Sequence, residues 1–252
     1  MNQLHNYFHN DAEVYDAIND FDLDLKFWKK WCKKGGKSLL ELCCGTGRIG
    51  IPLIKSGFNY TGIDLSKEFL SSFKEKTKSI DGSYEIKIKD IRSFDLNKKF
   101  HSIIIPFNSF SHLYTYKDVE KCFNSVKKHM YKNSVFIIDI FNPKFQYFIR
   151  DDRKKHFYGK YKTASGRLFK LYEKNKYDRD TQINHLKWHY EFLGKAKGIK
   201  IDDLFMRVYY PQEILALLEH NGFEIIKRFG NYDESRFNSD SHKHIIVVKK
   251  LK

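Results

Sequence analysis

The feature that most constrains the fold is the alternation of short apolar runs with amphipathic segments between residues 38 and 135. Runs such as "SLLELCC", "HSIIIPF" and "SVFIIDIF" are apolar almost throughout, which is typical of strands covered on both faces. Amphipathic segments of helical period separate these runs, and Ser66 is the predicted N-cap of one of the helices. This order predicts an α/β protein in which helices cover both faces of a parallel sheet.

The pattern changes between residues 145 and 209, where "GRLFKLYEKNKYD" and "QINHLKWHYEFL" predict long strands joined by the turn "YDRDT". We expect three or four antiparallel strands in this segment. The α/β pattern resumes with a helix that begins at Pro211, and two strands close the chain. The predicted fold is a doubly wound, mostly parallel sheet of seven strands with an antiparallel β insertion before the last helix. Its predicted domains are residues 1–144 with 210–252, and the insertion 145–209.

Length and composition narrow the class of protein. A chain of 252 residues with 41% hydrophobic and 31% charged residues is typical of a globular protein with a sizeable core. The longest apolar runs are far shorter than a membrane span and no signal peptide is evident, so we expect a cytoplasmic protein without membrane contact. The four cysteines form no C-x-x-C pair, which predicts reduced thiols and no metal site.

The formal net charge of +15 leaves two interpretations open. Residues 150–200 contain 15 Lys and Arg against 6 Asp and Glu, a net charge of +9, so an anionic acceptor or partner could contact this segment. A solvated basic surface is the favoured interpretation, because lysines are scattered along the whole chain.

The loop "LLELCCGTGRIG" carries glycines at positions 45, 47 and 50, and Asp64 follows Gly45 by nineteen residues. This spacing fits both the nicotinamide dinucleotide fingerprint and the glycine loop that holds S-adenosylmethionine (SAM). Glu41 decides between them, because a carboxylate inside an apolar strand is costly without a partner. SAM supplies a cationic partner, whereas a pyrophosphate would be repelled. The residues therefore favour SAM.

Four segments in this order closely resemble class I SAM-dependent methyltransferases. "ELCCGTGR" resembles their cofactor loop, "GIDLS" their second-strand motif, "KDIRSF" their adenine loop, and "IIIPFNSFSHL" their fourth strand and its exit. The β insertion and the N-terminal "AEVYDAI" resemble the small-molecule branch, which includes glycine/sarcosine and amino-sugar N-methyltransferases. The resemblance implies a Rossmann-like fold, SAM as cofactor with S-adenosylhomocysteine as product, and methyl transfer to a small molecule, with an amine nitrogen favoured.

The resemblance also implies cofactor-binding roles for the residues that match its motifs. The loop after the first strand is expected to hold the methionine end of SAM, and Asp64 to accept from the ribose hydroxyls. Asp90 is expected to accept from the adenine amino group, and Phe107 to lie near the sulfonium, whereas Gly50 is expected to serve helix packing. The full predicted set is Glu41, Cys43, Gly45, Thr46, Gly47, Arg48, Asp64, Leu65, Asp90, Ile91, Pro106 and Phe107.

Methyl transfer requires an aligned acceptor stripped of water, and an amine acceptor must also be unprotonated. His112 matches the position at which the amino-sugar enzymes place an active-site histidine, and we predict that it is the base; a helix-capping role is the alternative. Tyr15 is the second predicted catalytic residue, with a place in the core as its alternative. The predicted substrate-binding residues, with the insertion as a roof over the acceptor, are Asn108, Trp188, Arg207, Tyr209 and Tyr232.

Two other functions compete with a small-molecule methyltransferase. The positive charge favours a nucleic-acid (RNA) methyltransferase, but the fourth strand is followed by "IPFNSF" and not by the [DNS]-P-P-[YFW] loop that grips a flipped base. Nucleic acid is therefore disfavoured as a partner. A non-catalytic SAM-binding protein is the other alternative, because the loop motifs indicate binding alone. The sequence leaves monomer and homodimer open.

Overall fold

The structure, a computed structural model, describes residues 11–194 and 197–251. By its internal contacts the chain divides into two compact units, which we call the α/β unit and the antiparallel unit. Within the described residues, the α/β unit comprises 21–142 and 209–251, and the antiparallel unit comprises 11–20 and 143–208. The predicted division, with residues 1–144 in the first domain, stays a prediction, and its residues 1–10 lie outside the described part of the chain.

The α/β unit is built on a seven-stranded sheet with the strand order β10-β11-β5-β4-β1-β2-β3. Strands β1 to β5 pair in parallel, whereas β11 runs antiparallel to both β5 and β10. The predicted fold class, a mostly parallel sheet with an antiparallel end, is therefore confirmed. The strands are β1 Ser38–Leu42, β2 Asn59–Asp64, β3 Tyr84–Ile88, β4 Phe100–Ile105, β5 Met130–Phe141, β10 Phe223–Phe229 and β11 Lys243–Lys250.

The helices of the α/β unit begin and end where their capping residues require. The predicted N-cap Ser66 is confirmed, since its hydroxyl accepts from the Phe69 N–H at 3.1 Å. Pro211 occupies the first turn of the last helix, and Gly222 follows its end with a φ of +78°. The helices are α2 Leu25–Lys33, α3 Gly50–Lys55, α4 Lys67–Thr77, α5 Tyr116–Lys128 and α7 Pro211–His220.

Two hydrophobic cores lie on the two faces of this sheet. Ile103 and Ile105 of β4 pack in the cluster that contains Phe123 of α5. Ile104, which points to the opposite face, packs in the cluster that contains Trp28 of α2. Because both faces are covered, successive residues of a central strand are buried, and this explains the continuous apolar runs of the sequence.

The antiparallel unit contains a four-stranded sheet in which each strand pairs antiparallel with the next along the chain. The turn between β7 and β8 is held by Asp178, whose carboxylate accepts from the N–H groups of Asp180 and Thr181 at 2.9 and 3.0 Å. The elements are α1 Ala12–Ile18, α6 Phe145–Phe148, β6 His156–Lys162, β7 Leu168–Tyr177, β8 Ile183–Leu193 and β9 Gly198–Arg207.

Helix α1 packs against this second sheet. Val14 is fully buried in a cluster with Phe169 and Tyr190. The Arg167 guanidinium donates to both carboxylate oxygens of Asp11, the N-cap of α1, at 2.7 and 2.8 Å. A bidentate pair of this kind fixes orientation as well as distance. Residues 11–18 are thus part of the antiparallel unit, although they precede the α/β unit in the sequence.

Candidate cofactor and acceptor site

The carboxyl ends of β1 and its neighbours define the candidate site. Strand β1 lies between β2 on one side and β4 on the other, so the chain leaves the sheet centre in two directions. In doubly wound sheets a ligand binds in the crevice at such a reversal, outside the carboxyl ends of the strands. The predicted cofactor residues of the α/β unit lie at the carboxyl ends of β1 and β2 or in the loops that follow β1, β2, β3 and β4, and therefore lie along this edge.

The loop after β1 is folded tightly onto the end of β2. Cys43, Gly45 and Gly47 have φ values of +59°, +55° and +92°, and two of these three left-handed positions are glycines, which adopt them without strain. The Gly45 N–H donates to the Asp64 carboxylate at 2.9 Å. The Cys44 N–H donates to the Ile63 carbonyl at 3.0 Å. The loop and the carboxylate predicted to bind ribose are thus fixed to one another.

Two glycines make room for Tyr60 beneath this loop. A Cβ atom on Gly50 would lie 2.5 Å from the Tyr60 hydroxyl oxygen, and one on Gly62 would lie 2.8 Å from the same oxygen and from the Cys44 sulfur. Both distances are too short for any larger residue without a shift of the backbone or the ring. Gly50 therefore packs against β2, in agreement with the packing role expected from the sequence.

Glu41 is a buried acid on β1, with 2% of its surface exposed. The Tyr60 hydroxyl donates to its Oε2 at 2.7 Å. Burial raises the pKa of the Glu41 carboxyl to about 8, although the Tyr60 hydrogen bond and the Arg48 charge act in the opposite direction. A cationic group beside this carboxyl would favour its ionised form.

Arg48, predicted to bind the cofactor, forms an ion pair that the sequence did not reveal. Its guanidinium donates to both oxygens of Asp24 at 2.8 and 2.9 Å, and it lies 4.0 Å from the Phe21 ring centroid. Asp24 is fully buried and also accepts from the Trp28 indole N–H at 3.1 Å. The pair joins the loop after β1 to the segment before α2.

Asp64 ends β2 with both carboxylate oxygens engaged by the backbone. Oδ2 accepts from Gly45 and Oδ1 accepts from the Ser66 N–H at 2.8 Å. Burial raises the pKa of this carboxyl, while the N–H donors favour its ionised form. Each oxygen keeps a second lone pair, so the residue can still accept from hydroxyl groups. Leu65, beside it, is half-buried.

Asp90, expected to contact adenine, is held by a near neighbour. It accepts from the backbone N–H of Arg92 at 2.8 Å, and the Arg92 guanidinium donates to the same carboxylate at distances down to 2.6 Å. Ile91 is buried between them. The pair gives the loop after β3 a defined shape on the same edge of the sheet as Asp64.

The exit from β4 contains two consecutive left-handed residues that are not glycine, Phe107 with φ +54° and Asn108 with φ +61°. Asp139 of β5 supports both, because its carboxylate accepts from the Phe107 N–H and its carbonyl accepts from the Asn108 N–H, each at 2.9 Å. Tyr232 donates to the same carboxylate at 2.6 Å, and the Lys243 ammonium lies 3.3 Å from it. Strained backbone of this kind persists only where its surroundings enforce it.

Two polar side chains of this exit, Asn108 and His112, are predicted site residues. The Asn108 Oδ1 atom is buried and has no hydrogen-bond partner within the described part of the chain. His112 is half-buried at the end of the 3-10 turn Ser109–His112. Pro106, which precedes the left-handed pair, is buried. The predicted base and the predicted amide contact thus lie within one short loop after β4.

The remaining predicted residues divide between the two units. Tyr209 is buried in the α/β unit, where its hydroxyl donates to the Leu113 carbonyl, and Tyr232 is partly buried against Asp139. In the antiparallel unit, Tyr15 lies half-buried on α1 and the Trp188 indole N–H donates to Glu173 at 2.9 Å.

Arg207, the last residue of β9, is buried and donates to the Gln182 side chain at 3.3 Å. Strand β9 therefore ends two residues before Tyr209. For Tyr15 and the five substrate-binding residues, a role toward the acceptor stays a prediction.

Sequence reasoning missed the residues that hold the two loops in place, namely Asp24, Tyr60, Asp139 and Lys243. One of them carried a usable signal. Asp139 lies in "SVFIIDIF", an acid inside an apolar strand, which is the same feature that singled out Glu41. Asp24 carried none, because its partner lies 24 residues along the chain in a different element.

No helix in the described ranges is long and apolar enough to cross a membrane.

Comparison with known proteins agrees with this geometry. Residues 39–133 match the model of a family described as a methyltransferase domain. YqeM of Bacillus subtilis (strain 168), whose name places it provisionally among the methyltransferases, is 34% identical over 136 residues, which are 51% of this chain and 53% of that protein. The glycine/sarcosine N-methyltransferase of Aphanothece halophytica is 27% identical over 89% of this chain and 80% of its own length. The chain spans about half the length of the first curated relatives that it matches.

A solved SAM-dependent methyltransferase from Clostridium acetobutylicum ATCC 824 has the same fold. It superposes with a TM-score of 0.79 at 22% identity, over 96% of this chain and 98% of its own. Residues 39–133 thus match a methyltransferase domain, and the chain has the fold of a solved SAM-dependent methyltransferase, which is the fold that the sequence predicts.

Proposed function

We propose that this protein transfers the methyl group of SAM to an amine nitrogen of a small molecule. The observation that carries the proposal is the acid pair at the carboxyl edge of the sheet, Glu41 beneath the glycine loop and Asp64 at its rim. Glu41 is a buried carboxyl whose hydrogen-bond donor is neutral, which suits a ligand with an ammonium group. Asp64 is fixed by two N–H groups and suits ribose hydroxyls.

The residues present fit SAM along the whole edge. Glu41 and the loop amides after Cys43 would hold its methionine end, Asp64 its ribose and Asp90 its adenine. When bound, SAM supplies a methyl group on a positively charged sulfur, and no residue has to activate the leaving group. The task left to the protein is to hold the acceptor in line and to exclude water from it.

The β4 exit supplies the groups that this task needs. His112 would take a proton from the acceptor ammonium, because an amine attacks only through its free lone pair. The unpartnered Asn108 oxygen would accept a hydrogen bond from the acceptor and orient it. The relative that acts on glycine and sarcosine supports a nitrogen acceptor, since its sequence match covers most of both chains.

Two experiments test the proposal, first calorimetry of cofactor binding and then a screen of methyl acceptors. SAM and S-adenosylhomocysteine should bind and NADH should not. S-adenosylhomocysteine should then form when SAM is incubated with members of a panel of glycine, sarcosine and amino sugars. NADH binding without SAM binding would overturn the cofactor assignment. SAM binding without turnover on any amine, alcohol or nucleic acid would indicate a non-catalytic binding protein.

A nucleic-acid acceptor is the second candidate, because residues 150–200 carry a net charge of +9. It is tested in the same assay with single-stranded RNA in place of the amines. Methylation of RNA that weakens steeply with salt would favour this candidate over the small-molecule acceptor.

A further inference from the structure

We propose that the Tyr60 hydroxyl positions the Glu41 carboxyl and that SAM displaces one proton from this buried pair when it binds. The proposal rests on the proposed function in one respect, namely that SAM is the ligand of this edge. It adds a positioning residue, Tyr60, and a proton-linked binding step, neither of which follows from the domain class.

The Glu41–Tyr60 pair is buried, and the Tyr60 ring is held in place by packing. Glu41 and Tyr60 lie on the paired strands β1 and β2, and both are 2% exposed. The Tyr60 ring stacks on Phe73 with centroids 5.9 Å apart. The space for its hydroxyl exists only because positions 50 and 62 lack a Cβ atom. The hydroxyl is therefore directed at Glu41 by packing and not by chance.

The charges around Glu41 do not compensate it. Arg48 is the cation that lowers the pKa of Glu41. The Arg48 guanidinium, however, donates through both of its terminal nitrogens to Asp24. Asp24 before α2 and Asp64 at the end of β2 act on Glu41 as like charges. Within the described ranges no residue forms an ion pair with Glu41.

The neighbouring thiols complete the surroundings of the carboxyl. Cys32 of α2 and Cys44 of the loop are both buried, and burial raises the pKa of each thiol, so both stay neutral near pH 7. Burial of Glu41 without a compensating cation raises its pKa to about 8, and the carboxyl carries a proton at neutral pH.

The exchange on binding is balanced in atoms and charge. The O–H bond of the Glu41 carboxylic acid breaks and its proton passes to solvent. The carboxylate that remains accepts one hydrogen bond from Tyr60 and one from the ligand ammonium, so the ligand cation replaces the proton. Tyr60 favours this exchange because a donor to a carboxylate stabilises the ionised form.

The sign of the pH dependence follows from this exchange. Glu41 is protonated in the free protein below about pH 8 and ionised in the complex. Affinity should therefore rise about tenfold for each pH unit between 6 and 7.5. The measurement stays below pH 7.5 because the ligand α-amino group itself loses its proton near 8.

The experiment is titration calorimetry of SAM and of S-adenosylhomocysteine at pH 6.5 in phosphate and in Tris. The dependence of the heat on the ionisation enthalpy of the buffer gives the number of protons released, and about one is expected. Glu41→Gln should reduce the release to zero and remove the pH slope. Tyr60→Phe should keep the release but weaken binding at pH 7 about tenfold, because Glu41 then holds its proton more strongly.

The control is Tyr84→Phe on β3, a half-buried tyrosine of the same core, which should leave both quantities unchanged. Binding without proton release would overturn the inference and leave the proposed function standing. Failure of the wild type to bind SAM at any pH would instead overturn the proposed function.

A second readout needs no ligand. The carboxyl has its ordinary pKa of 4.5 in the unfolded chain and a higher one when folded, so the folded state binds more protons between those values. Glu41 should therefore lower the free energy of unfolding as pH rises from about 4.5 to about 8, so the folded state becomes less stable. Urea unfolding of Glu41→Gln should lack this loss, and identical pH profiles for the two proteins would contradict the inference.

Discussion

The two halves of the strand-end edge are held together in different ways. At β1 and β2 the critical contacts, Gly45 with Asp64 and Glu41 with Tyr60, each join residues 19 positions apart. At β4 and β5 they join Phe107 with Asp139 across 32 positions, and Tyr232 with Asp139 across 93. The half at β1 and β2, which we propose for the cofactor and call the cofactor half, is thus assembled from one βαβ unit. The half at β4 and β5, which we propose for the acceptor and call the acceptor half, depends on the completed sheet.

The halves also differ in how they adopt left-handed backbone. The cofactor half uses mainly glycines, which adopt positive φ at no steric cost. The acceptor half uses Phe107, for which such a conformation costs about 1–3 kcal/mol, and Asn108, a residue type that tolerates it better. The difference indicates that the acceptor half relies on the residue that enforces its shape, and this residue is Asp139.

The largest expected effect therefore comes from Asp139→Ala. The change leaves the Phe107 N–H and the Tyr232 hydroxyl without their acceptor and the partly buried Lys243 without its counter-charge. Breaking a buried pair in this way typically costs about 3–5 kcal/mol, and urea unfolding at pH 7 measures it. Asp81→Ala, at an exposed position, is the control.

Asp139→Asn sharpens this test, because an amide oxygen can still accept from Phe107. It should recover part of the free energy of unfolding. Equal stability of wild type and Asp139→Ala would show that the β4 exit keeps its shape without Asp139, and the contrast between the two halves would lose its basis.

His112→Ala is expected to have the next largest effect, and on turnover alone. A general base contributes typically about 10²–10⁴-fold, so turnover should fall at least about 10²-fold while SAM affinity stays nearly intact. Single-turnover methyl transfer and SAM calorimetry separate the two quantities. His220→Ala, at an exposed position on α7, should change neither.

His112→Asn distinguishes two roles of the residue. It should restore part of the rate if His112 acts by hydrogen bonding, and little if it removes a proton. Equal losses of SAM binding and turnover in His112→Ala would contradict a catalytic role and move the residue into the cofactor half.

The same contrast explains how much the sequence could predict. The fold class, the N-cap Ser66 and the glycine loop are local patterns, and they could be predicted because their physical causes lie within about twenty residues. The Asp24–Arg48 pair and the Asp139 contacts depend on which elements become neighbours in the sheet, and a single sequence does not encode those distances locally. Glu41 lies between these cases, because its burial could be predicted and its partner Tyr60 could not.

Asp64→Ala tests the cofactor half directly. The carboxylate would lose charge-assisted hydrogen bonds to ribose, worth about 1.5–3 kcal/mol each, so SAM affinity should fall at least about tenfold. Calorimetry measures the affinity, and circular dichroism checks that the fold survives. Asp240→Ala, exposed in the loop before β11, is the control. An unchanged dissociation constant would mean that the ribose lies elsewhere.

Ser66→Ala is expected to have the smallest effect. It tests whether the backbone or the hydroxyl of Ser66 matters for the cofactor half. Its backbone N–H donates to Asp64, whereas its hydroxyl caps α4. The substitution removes only the hydroxyl, so the free energy of unfolding should fall by about 1 kcal/mol, the usual cost of a lost N-cap, and SAM affinity should hold within a factor of about two. Ser71→Ala, at an exposed position within the same helix, should not destabilise the protein because alanine is the better helix former. If Ser66→Ala weakened SAM binding as much as Asp64→Ala, the geometry of Asp64 would depend on the helix end and not on the backbone of the loop. The cofactor half would then be less local than its contacts indicate.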